Sequence, residues 1–239
     1  MDFSKREIIT SAWNLLKPNL SILVLVIVAM FCLNLFLGTI QNRLLEDLTP
    51  QSILFTIASS LFQMGLNLGL LRICLNIINN KEGEFQQLFS SFHLLIPFVF
   101  ATILVILILF ITAFPGIILL LSLISVDFDT MPTLESLNSI SVFLTALIIL
   151  IPLIYTSLRL QFYDYFLVDK ECGVLEAVRR SAAITKGYIM ELFLLGAVVS
   201  IIVLISIIPL GAGLFFSIPL AYLVNTHVYK MLKNTLKAN

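Results

Sequence analysis

One apolar run in this chain is too long for a single straight membrane helix. It covers residues 94–126 and contains no charged residue. At ~1.5 Å per residue, a helix of this length would reach about 50 Å, whereas the hydrocarbon core of a bilayer is ~30 Å thick. Pro115 removes a helical hydrogen bond within the run, and Gly116 follows it. We therefore predict a spanning helix over residues 94 to about 113, a kink or break at Pro115, and a short apolar piece near the outer surface.

Five further apolar runs alternate with charged segments. Hydrophobic residues make up 59% of the chain and charged residues only 12%, whereas soluble domains carry roughly 25% charged residues. About 20 apolar residues are enough to cross a bilayer as a helix. We predict a single integral membrane domain of the all-α polytopic class with six transmembrane helices: residues 20–40, 53–78, the run from 94, 140–166, 189–208 and 214–231.

The distribution of charge predicts the orientation of these helices. The 14 basic and 14 acidic residues cancel, so net charge gives no reason to expect a nucleic-acid partner. With a cytoplasmic N-terminus, Arg43 is the one basic residue placed outside, as the positive-inside rule favours. We expect both termini to be cytoplasmic, and the first run to be a retained helix rather than a cleaved signal peptide. The outer segments then carry acidic residues: Glu46, Asp47, Asp127, Asp129 and Glu135.

A short amphipathic segment precedes each predicted pair of spans. Ser4 and Glu7 have the spacing of a capping box, so the first of these segments is expected to form a helix from Ser4. We expect each segment to lie at the cytoplasmic interface with its apolar face in lipid, and to turn into the next span at an elbow near Pro18, His93 or Gly187. The prediction is three helical hairpins, each preceded by an interface helix: residues 4–19, 83–93 and 173–187.

A local sequence match supports a threefold repeat. Arg72 near the end of the second run is followed by Lys81 and an acidic residue, and Arg159 is followed by Lys170 in the same way. In both places an amphipathic segment comes next. The predicted repeats are residues 1–80, 81–170 and 171–239.

Small residues spaced four apart predict where the spans pack. Helices in lipid associate through close backbone contact and polar bonds, so such stripes are expected to face neighbouring helices. The stripes are Gly65 and Gly69 on the second span, Gly196 and Ser200 on the fifth, and Gly213, Ser217, Ala221 and Asn225 on the sixth.

Few polar side chains fall within the predicted spans, and none belongs to a catalytic or metal-binding motif. For the amides of Asn67 and Asn225 we expect hydrogen bonds between helices, with a transport role as the alternative. For His227 we expect an interfacial hydrogen bond, because its distance in sequence from His93 gives no metal-ligand spacing. The sequence thus predicts no cofactor, no metal site, and no disulfide among Cys32, Cys74 and Cys172.

Arg159 allows two interpretations. Its aliphatic stem can stay in lipid while the guanidinium reaches the headgroups. Alternatively, it pairs with Asp164 or Asp169 and fixes the following turn. The segment 158–187 that contains these residues is interpreted as a hinge between hairpins rather than a reaction site.

The same segment carries a resemblance. It resembles a pattern in bacterial integral membrane proteins that include the YciC-like proteins and relatives of the membrane domain of glycerophosphoryl diester phosphodiesterases. The resemblance implies a protein of the bacterial cytoplasmic membrane. No phosphodiesterase domain is present, so that activity does not transfer. The matching positions are Pro152, Arg159, Phe162, Tyr165, Asp169, Ala177, Ser181 and Gly187.

The leading hypothesis from the sequence is a non-enzymatic scaffold or accessory protein in envelope or lipid homeostasis. Its expected partners are membrane lipids, chiefly anionic headgroups on the cytoplasmic side, with a second membrane protein or another copy of the chain as a further possibility. One alternative is a permease or lipid translocator that uses the amides of Gln63, Asn67 and Asn225. The other is an intramembrane lipid enzyme, which would require Arg159, Asp164 and His227 to converge.

Overall fold

The computed structural model describes residues 4–44, 49–123, 139–208 and 211–238. The predicted outer acidic residues at 46, 47, 127, 129 and 135, and the last part of the run 94–126, lie outside these ranges. The described residues form helices joined by short turns and contain no strand, which confirms the all-α class for this part of the chain. Their α-helices are α1 (Lys5–Leu16), α2 (Leu20–Leu44), α3 (Pro50–Ile78), α4 (Leu95–Leu123), α5 (Ser139–Leu160), α6 (Tyr163–Lys170), α7 (Val174–Ile184), α8 (Ile189–Ile205) and α9 (Leu214–Ala238).

Helix α1 begins where the capping signal predicts. The Ser4 Oγ accepts a hydrogen bond from the backbone N–H of Glu7 at 3.4 Å. A 3-10 turn at Lys17–Asn19 then leads into α2, and both helices belong to one helical segment, Lys5–Arg43. The elbow predicted near Pro18 is therefore not a sharp bend.

The apolar face of α1 packs on protein rather than on lipid. Ile8, Ala12 and Leu16 lie one turn apart and are almost fully buried, and α1 runs against α9. Trp13 on α1 is 42% exposed. The four-residue spacing matches a helix–helix contact, so the predicted position of this face in lipid is wrong.

The second predicted interface segment is not an α-helix. It forms two short 3-10 helices, Phe85–Phe89 and Phe92–Leu94, and continues into α4 within one helical segment, Phe85–Leu119. The expected elbow near His93 is thus also not a sharp bend.

Gly65 and Gly69 on α3 make close contacts, but with this 3-10 segment rather than with a membrane helix. A Cβ atom at Gly69 would overlap the Leu88 carbonyl oxygen, and one at Gly65 would lie 2.6 Å from the Phe92 ring. The two glycines therefore let the chain return directly against α3. The prediction of close packing at these glycines is confirmed, with a loop segment in the place of a membrane helix.

Helix α4 passes through Pro115 without ending, which corrects the predicted break. Gly116 lies so close to α5 that a Cβ atom would overlap the Ile149 side chain. Apolar neighbours pack along this contact, and membrane-type helices tolerate proline when neighbouring helices support them. Close packing on α5 explains why the helix continues.

The third elbow forms as predicted. Helices α7 and α8 are bent by 95° relative to each other, and Gly187 between them has a φ of +90°. A positive φ of this kind is readily adopted by glycine and costs other residues energy. The apolar face of α7 also packs on protein, with Ala177, Val178 and Ile184 buried, whereas Leu175 is exposed.

The other two small-residue stripes have different outcomes. On α8, Gly196 and Ser200 are exposed and a Cβ atom at Gly196 would meet nothing within 4 Å, so the predicted helix contact there is wrong. Near α9, Gly213 lies against Ser206, and Ser217 is buried. The stripe ends in an exposed residue, Asn225.

Four helical segments in the described residues are long and apolar enough to cross a membrane. They are Lys5–Arg43, Pro50–Ile78, Phe85–Leu119 and Phe143–Lys170, and the bent pair α7–α8 would make a fifth. Helix α9 falls outside this set because its second half is rich in polar and basic residues.

Helix α3 lies at the centre of the fold. The most apolar stretch of Pro50–Ile78 is 61% buried, against 11–17% in the other three candidate spans. The large apolar side chains of α2, α4, α5 and α8 are accordingly widely exposed. Such an extensive apolar surface is what a bilayer would cover.

Candidate functional site

The segment 158–187 contains a break in the helix that a neighbouring helix caps. Between α5 and α6, the backbone N–H of Phe162 donates to the Ser181 Oγ at 3.0 Å, and the Ser181 hydroxyl donates to the Arg159 carbonyl at 3.1 Å. The Thr185 hydroxyl lies 3.1 Å from the same carbonyl oxygen. A buried backbone group without a partner is costly, so these hydroxyls stabilise the break. Ser181 was predicted as a candidate residue, and Thr185, one turn later, was missed.

Asp169 is held by α9. Its Oδ2 accepts a hydrogen bond from the Tyr229 hydroxyl at 2.8 Å and forms an ion pair with Lys233. The Asp169 and Lys233 side chains are only 18% and 17% exposed. The Tyr229 ring is fully buried and packs on Tyr165 and Phe166, with ring centres 5.2 and 5.1 Å apart. This cluster attaches α6 to α9, and the i, i+4 spacing of Tyr229 and Lys233 was its only signal in the sequence.

Arg72 attaches the end of α6 to α3. One guanidinium nitrogen donates to the Val168 carbonyl at 2.9 Å, and another pairs with Glu171 at 2.9 Å. His93 Nε2 lies 3.7 Å from the same Glu171 carboxylate. The hydrogen bond from Arg72 lowers the pKa of Glu171. Three segments that are distant in sequence thus meet at one carboxylate.

Arg159 does not make the predicted ion pair. Its guanidinium lies 6.0 Å from the centre of the Tyr155 ring on the same helix. Asp169 is paired with Lys233, and Asp164 accepts a hydrogen bond from the backbone N–H of Tyr165 at 2.9 Å. Of the two interpretations, the ion pair with Asp164 or Asp169 is therefore wrong.

The amides predicted to join helices have separate environments. The Asn67 Oδ1 on α3 accepts a hydrogen bond from the Tyr222 hydroxyl on α9 at 3.4 Å. Asp164 is close enough to act electrostatically on Tyr222 as well. Asn225 is exposed on α9, and no hydrogen bond joins its side chain to another described residue. The structure thus joins Asn67 to Tyr222 and leaves Asn225 apart.

His227 lines a groove at the end of α3. The groove has a volume of about 600 Å³, and α1 and α9 form its walls. The buried Nδ1 of His227 has no hydrogen-bond partner among the described residues. In those residues no group of three or more His, Cys, Asp or Glu side chains could hold a metal ion.

The three residues that an intramembrane enzyme would need do not form one site. Arg159 lies over Tyr155, Asp164 lies near Tyr222, and His227 faces the groove between α1, α3 and α9. Within the described ranges no hydrogen bond or ion pair connects any two of the three.

These features define a class of protein: an all-helical chain with several helices apolar enough to cross a membrane, joined at one end by hydrogen bonds and ion pairs. The chain belongs to a family described as "Protein of unknown function (DUF975)", whose family model matches residues 1–235. Comparisons with curated proteins and with solved structures gave no match. The narrower resemblance to YciC-like and phosphodiesterase membrane-domain proteins stays a prediction.

Proposed function

We propose that this chain is a non-enzymatic scaffold or accessory protein of the bacterial cytoplasmic membrane, with a role in envelope or lipid homeostasis. One observation carries the proposal: in the segment 158–187, the candidate side chains of Ser181 and Asp169 are bound to the protein itself. Ser181 binds two backbone groups of a helix break, and Asp169 binds Tyr229 and Lys233. Side chains with these partners hold helices together and are not free to act on a substrate.

The proposed topology has six spans with both termini in the cytoplasm. The bent pair α7–α8 supplies the fifth span mainly through α8, and the apolar first half of α9 supplies the sixth. The end of the helical bundle that carries Arg72, Glu171 and Lys233 then lies at the cytoplasmic surface, as the positive-inside rule favours.

The topology is tested with single cysteines introduced after replacing Cys32, Cys74 and Cys172 by serine. Lys186→Cys, at an exposed position just after α7, should react with a membrane-impermeant maleimide only after inside-out vesicles are made. Arg43→Cys, at the end of α2, should react in intact cells. Labelling of both positions from the same side would exclude the proposed topology.

Basic side chains on α7 provide the proposed contact with lipid headgroups. Arg179 and Arg180 on α7 and Lys186 just after it are exposed. Arg180 forms an i, i+4 ion pair with Glu176. Near an anionic surface each Lys or Arg contributes about 1 kcal/mol. We expect the purified protein to prefer vesicles rich in phosphatidylglycerol over phosphatidylcholine vesicles, and a triple glutamine variant to lose most of this preference. An unchanged preference in the variant, together with no partner after mild crosslinking, would contradict the proposal.

A second candidate function is translocation of a solute or lipid. The observation that favours it is the hydrogen bond between Asn67 on α3 and Tyr222 on α9. Asp164 also acts electrostatically on Tyr222. Polar groups in such positions often mark transport pathways. Flux in reconstituted vesicles that disappears in Asn67→Leu and Asn225→Leu would place this function first, and absence of flux for ions, small solutes and lipids would exclude it.

A further inference from the structure

The groove beside His227 has a lining unlike the rest of the helical surface. Its walls come from α1, the end of α3 and α9, and it opens where the candidate span Pro50–Ile78 ends. Six of its lining residues are polar or basic, three are apolar, and none is acidic: Ser11, Asn14, Asn80, His227, Lys230 and Asn234, with Leu15, Ile78 and Met231.

The end of α3 fixes one wall of the groove. Asn80 has a positive φ of 57°, and the N–H groups of Asn80 and Lys81 bond back to the carbonyls of Ile77 and Asn76. This pattern is a Schellman motif, which ends a helix abruptly. The abrupt end leaves the Asn80 side chain at the edge of the groove.

Lys230 holds α9 against that helix end. Its Nζ donates to the Ile78 carbonyl at 2.7 Å. An ammonium group carries three N–H donors, so this bond positions the charge and leaves two donors for a ligand. The ammonium also offsets the negative end of the α3 dipole, which would otherwise repel an anion.

His227 adds an unsatisfied group to the same lining. Its Nδ1 is buried without a hydrogen-bond partner, although buried polar atoms nearly always have one. Because this Nδ1 is closed off from solvent, a ligand oxygen in the groove would reach it only after the ring turned. The amide groups of Asn14, Asn80 and Asn234 offer further N–H donors.

We propose that this groove binds a phosphoryl group, either on the headgroup of an anionic lipid or as free phosphate. Cationic and amide donors without any carboxylate suit an oxyanion, and charge-assisted hydrogen bonds to phosphate are among the strongest. A metal cation is disfavoured because the lining offers it no carboxylate or thiolate. The apolar residues Leu15, Ile78 and Met231 lie beside the donors, where the glycerol and first methylenes of a lipid would rest. The lipid form of the proposal depends on the proposed topology, which places this groove at the inner headgroups.

The binding is measured by native mass spectrometry of the full-length protein in detergent. Phosphatidylglycerol and phosphatidylcholine are titrated separately, and inorganic phosphate is added as a competitor. We expect one saturable binding site for phosphatidylglycerol. Phosphatidylcholine, whose headgroup carries an added cation, should bind much more weakly. Displacement by millimolar phosphate would assign the site to the free anion, and no displacement would assign it to the lipid.

Two groove variants are compared with matched controls. Lys230→Gln should weaken binding about tenfold or more, because it removes a charged donor, and Asn234→Leu should weaken it several-fold. Lys170→Gln and Asn42→Leu make the same chemical changes at exposed positions outside the groove and should leave the affinity unchanged. Asn234 is exposed, so its variant tests the site even if Lys230→Gln proves too unstable to purify.

Equal affinity in the groove variants and the wild type, or absence of saturable binding, would overturn the proposal. The outcome is separate from that of the α7 experiment. Loss of vesicle preference in the α7 variant with an intact single site would support both proposals. An intact vesicle preference in the α7 variant combined with loss of the single site in Lys230→Gln would support the groove and reject α7 as the lipid-binding surface.

Discussion

Two segments that follow an arginine share a sequence pattern but are held in place by different forces. The first arginine segment, residues 72–93, leaves α3 and returns against it as 3-10 helices that pack on Gly65 and Gly69. The second arginine segment, residues 159–187, contains a helix break capped by Ser181 and ends in a 95° bend at Gly187. Both include a helix end with a positive φ, at Asn80 and at Glu171.

The difference shows that a repeated pattern of residue types does not specify a repeated structure. The first segment depends on the absence of side chains at two positions, and the second depends on hydroxyl groups that replace lost backbone hydrogen bonds. The two arginines differ accordingly, since Arg72 binds the end of α6 while Arg159 lies over Tyr155. Substitutions should therefore affect the two segments through different physical causes.

The largest effect is expected at Gly69 in the surface that supports the first segment. In Gly69→Ala the new methyl group would overlap the Leu88 backbone, which cannot move without displacing the segment. We expect a loss of more than about 3 kcal/mol of unfolding free energy, measured by denaturant titration in micelles. Gly196→Ala on α8 makes the same change in open space and should be neutral or slightly stabilising. Similar stability of the two variants would show that close packing does not hold the first segment.

The next largest effect is expected at the ion pair that attaches the second segment to α9. Lys233→Met leaves the Asp169 carboxylate mostly buried beside Tyr229 with no cation, at a cost of about 2–3 kcal/mol in the same titration. The double variant with Asp169→Asn should be no less stable than Lys233→Met alone, because the unpaired charge is gone. Costs that simply add would mean that the two side chains do not interact.

A moderate effect is expected at the cap of the helix break. Ser181→Ala leaves the Phe162 N–H without its acceptor in a buried position, which should cost about 1–2 kcal/mol. Ser90→Ala in the first segment removes an exposed hydroxyl bonded to the Gln87 carbonyl and should cost less than about 0.5 kcal/mol. Hydrogen exchange at Phe162 provides the direct readout, and unchanged protection of that amide would contradict the capping role.

The smallest effect is expected where the two segments meet, at the pair of Arg72 and Glu171. The pair is partly exposed, so Glu171→Gln should cost at most about 1 kcal/mol. Arg72 lowers the pKa of Glu171 below its usual 4.5, so the contribution is present above pH 4.5 and is lost as the pH falls through the lowered pKa. Melting temperatures of wild type and variant should therefore differ at pH 7 and converge in acid. A constant difference across that range would assign the effect to something other than ionisation.

Local signals in the sequence predicted local structure well. Apolar runs gave the helical class, Ser4 marked the start of α1, and Gly187 marked the sharp bend. Each of these depends on neighbours within a few residues. Of the kink or break predicted at Pro115, the break does not occur, because the contact of Gly116 with Ile149 on α5 supports the helix there, and the sequence could not predict that contact.

Partners distant in sequence were not predictable in the same way. One of the two interpretations of Arg159 paired it with Asp164 or Asp169, but the partners of Asp169, Tyr229 and Lys233, follow 60 and 64 residues later. The amphipathic faces of α1 and α7 could be recognised, but an apolar face is compatible with lipid and with protein. The sequence pattern could not distinguish these two environments.

The central position of α3 imposes an order on biosynthesis. Arg72 donates a hydrogen bond to the Val168 carbonyl, 96 residues further along the chain. The Ile78 carbonyl accepts one from Lys230, which is synthesised 152 residues later. At roughly 5–20 residues per second, about 8–30 s pass between the synthesis of Ile78 and that of Lys230. During that interval the most buried helix of the finished protein has α2 and the following 3-10 segment beside it but lacks α9. The last helix made therefore completes the burial of one of the first.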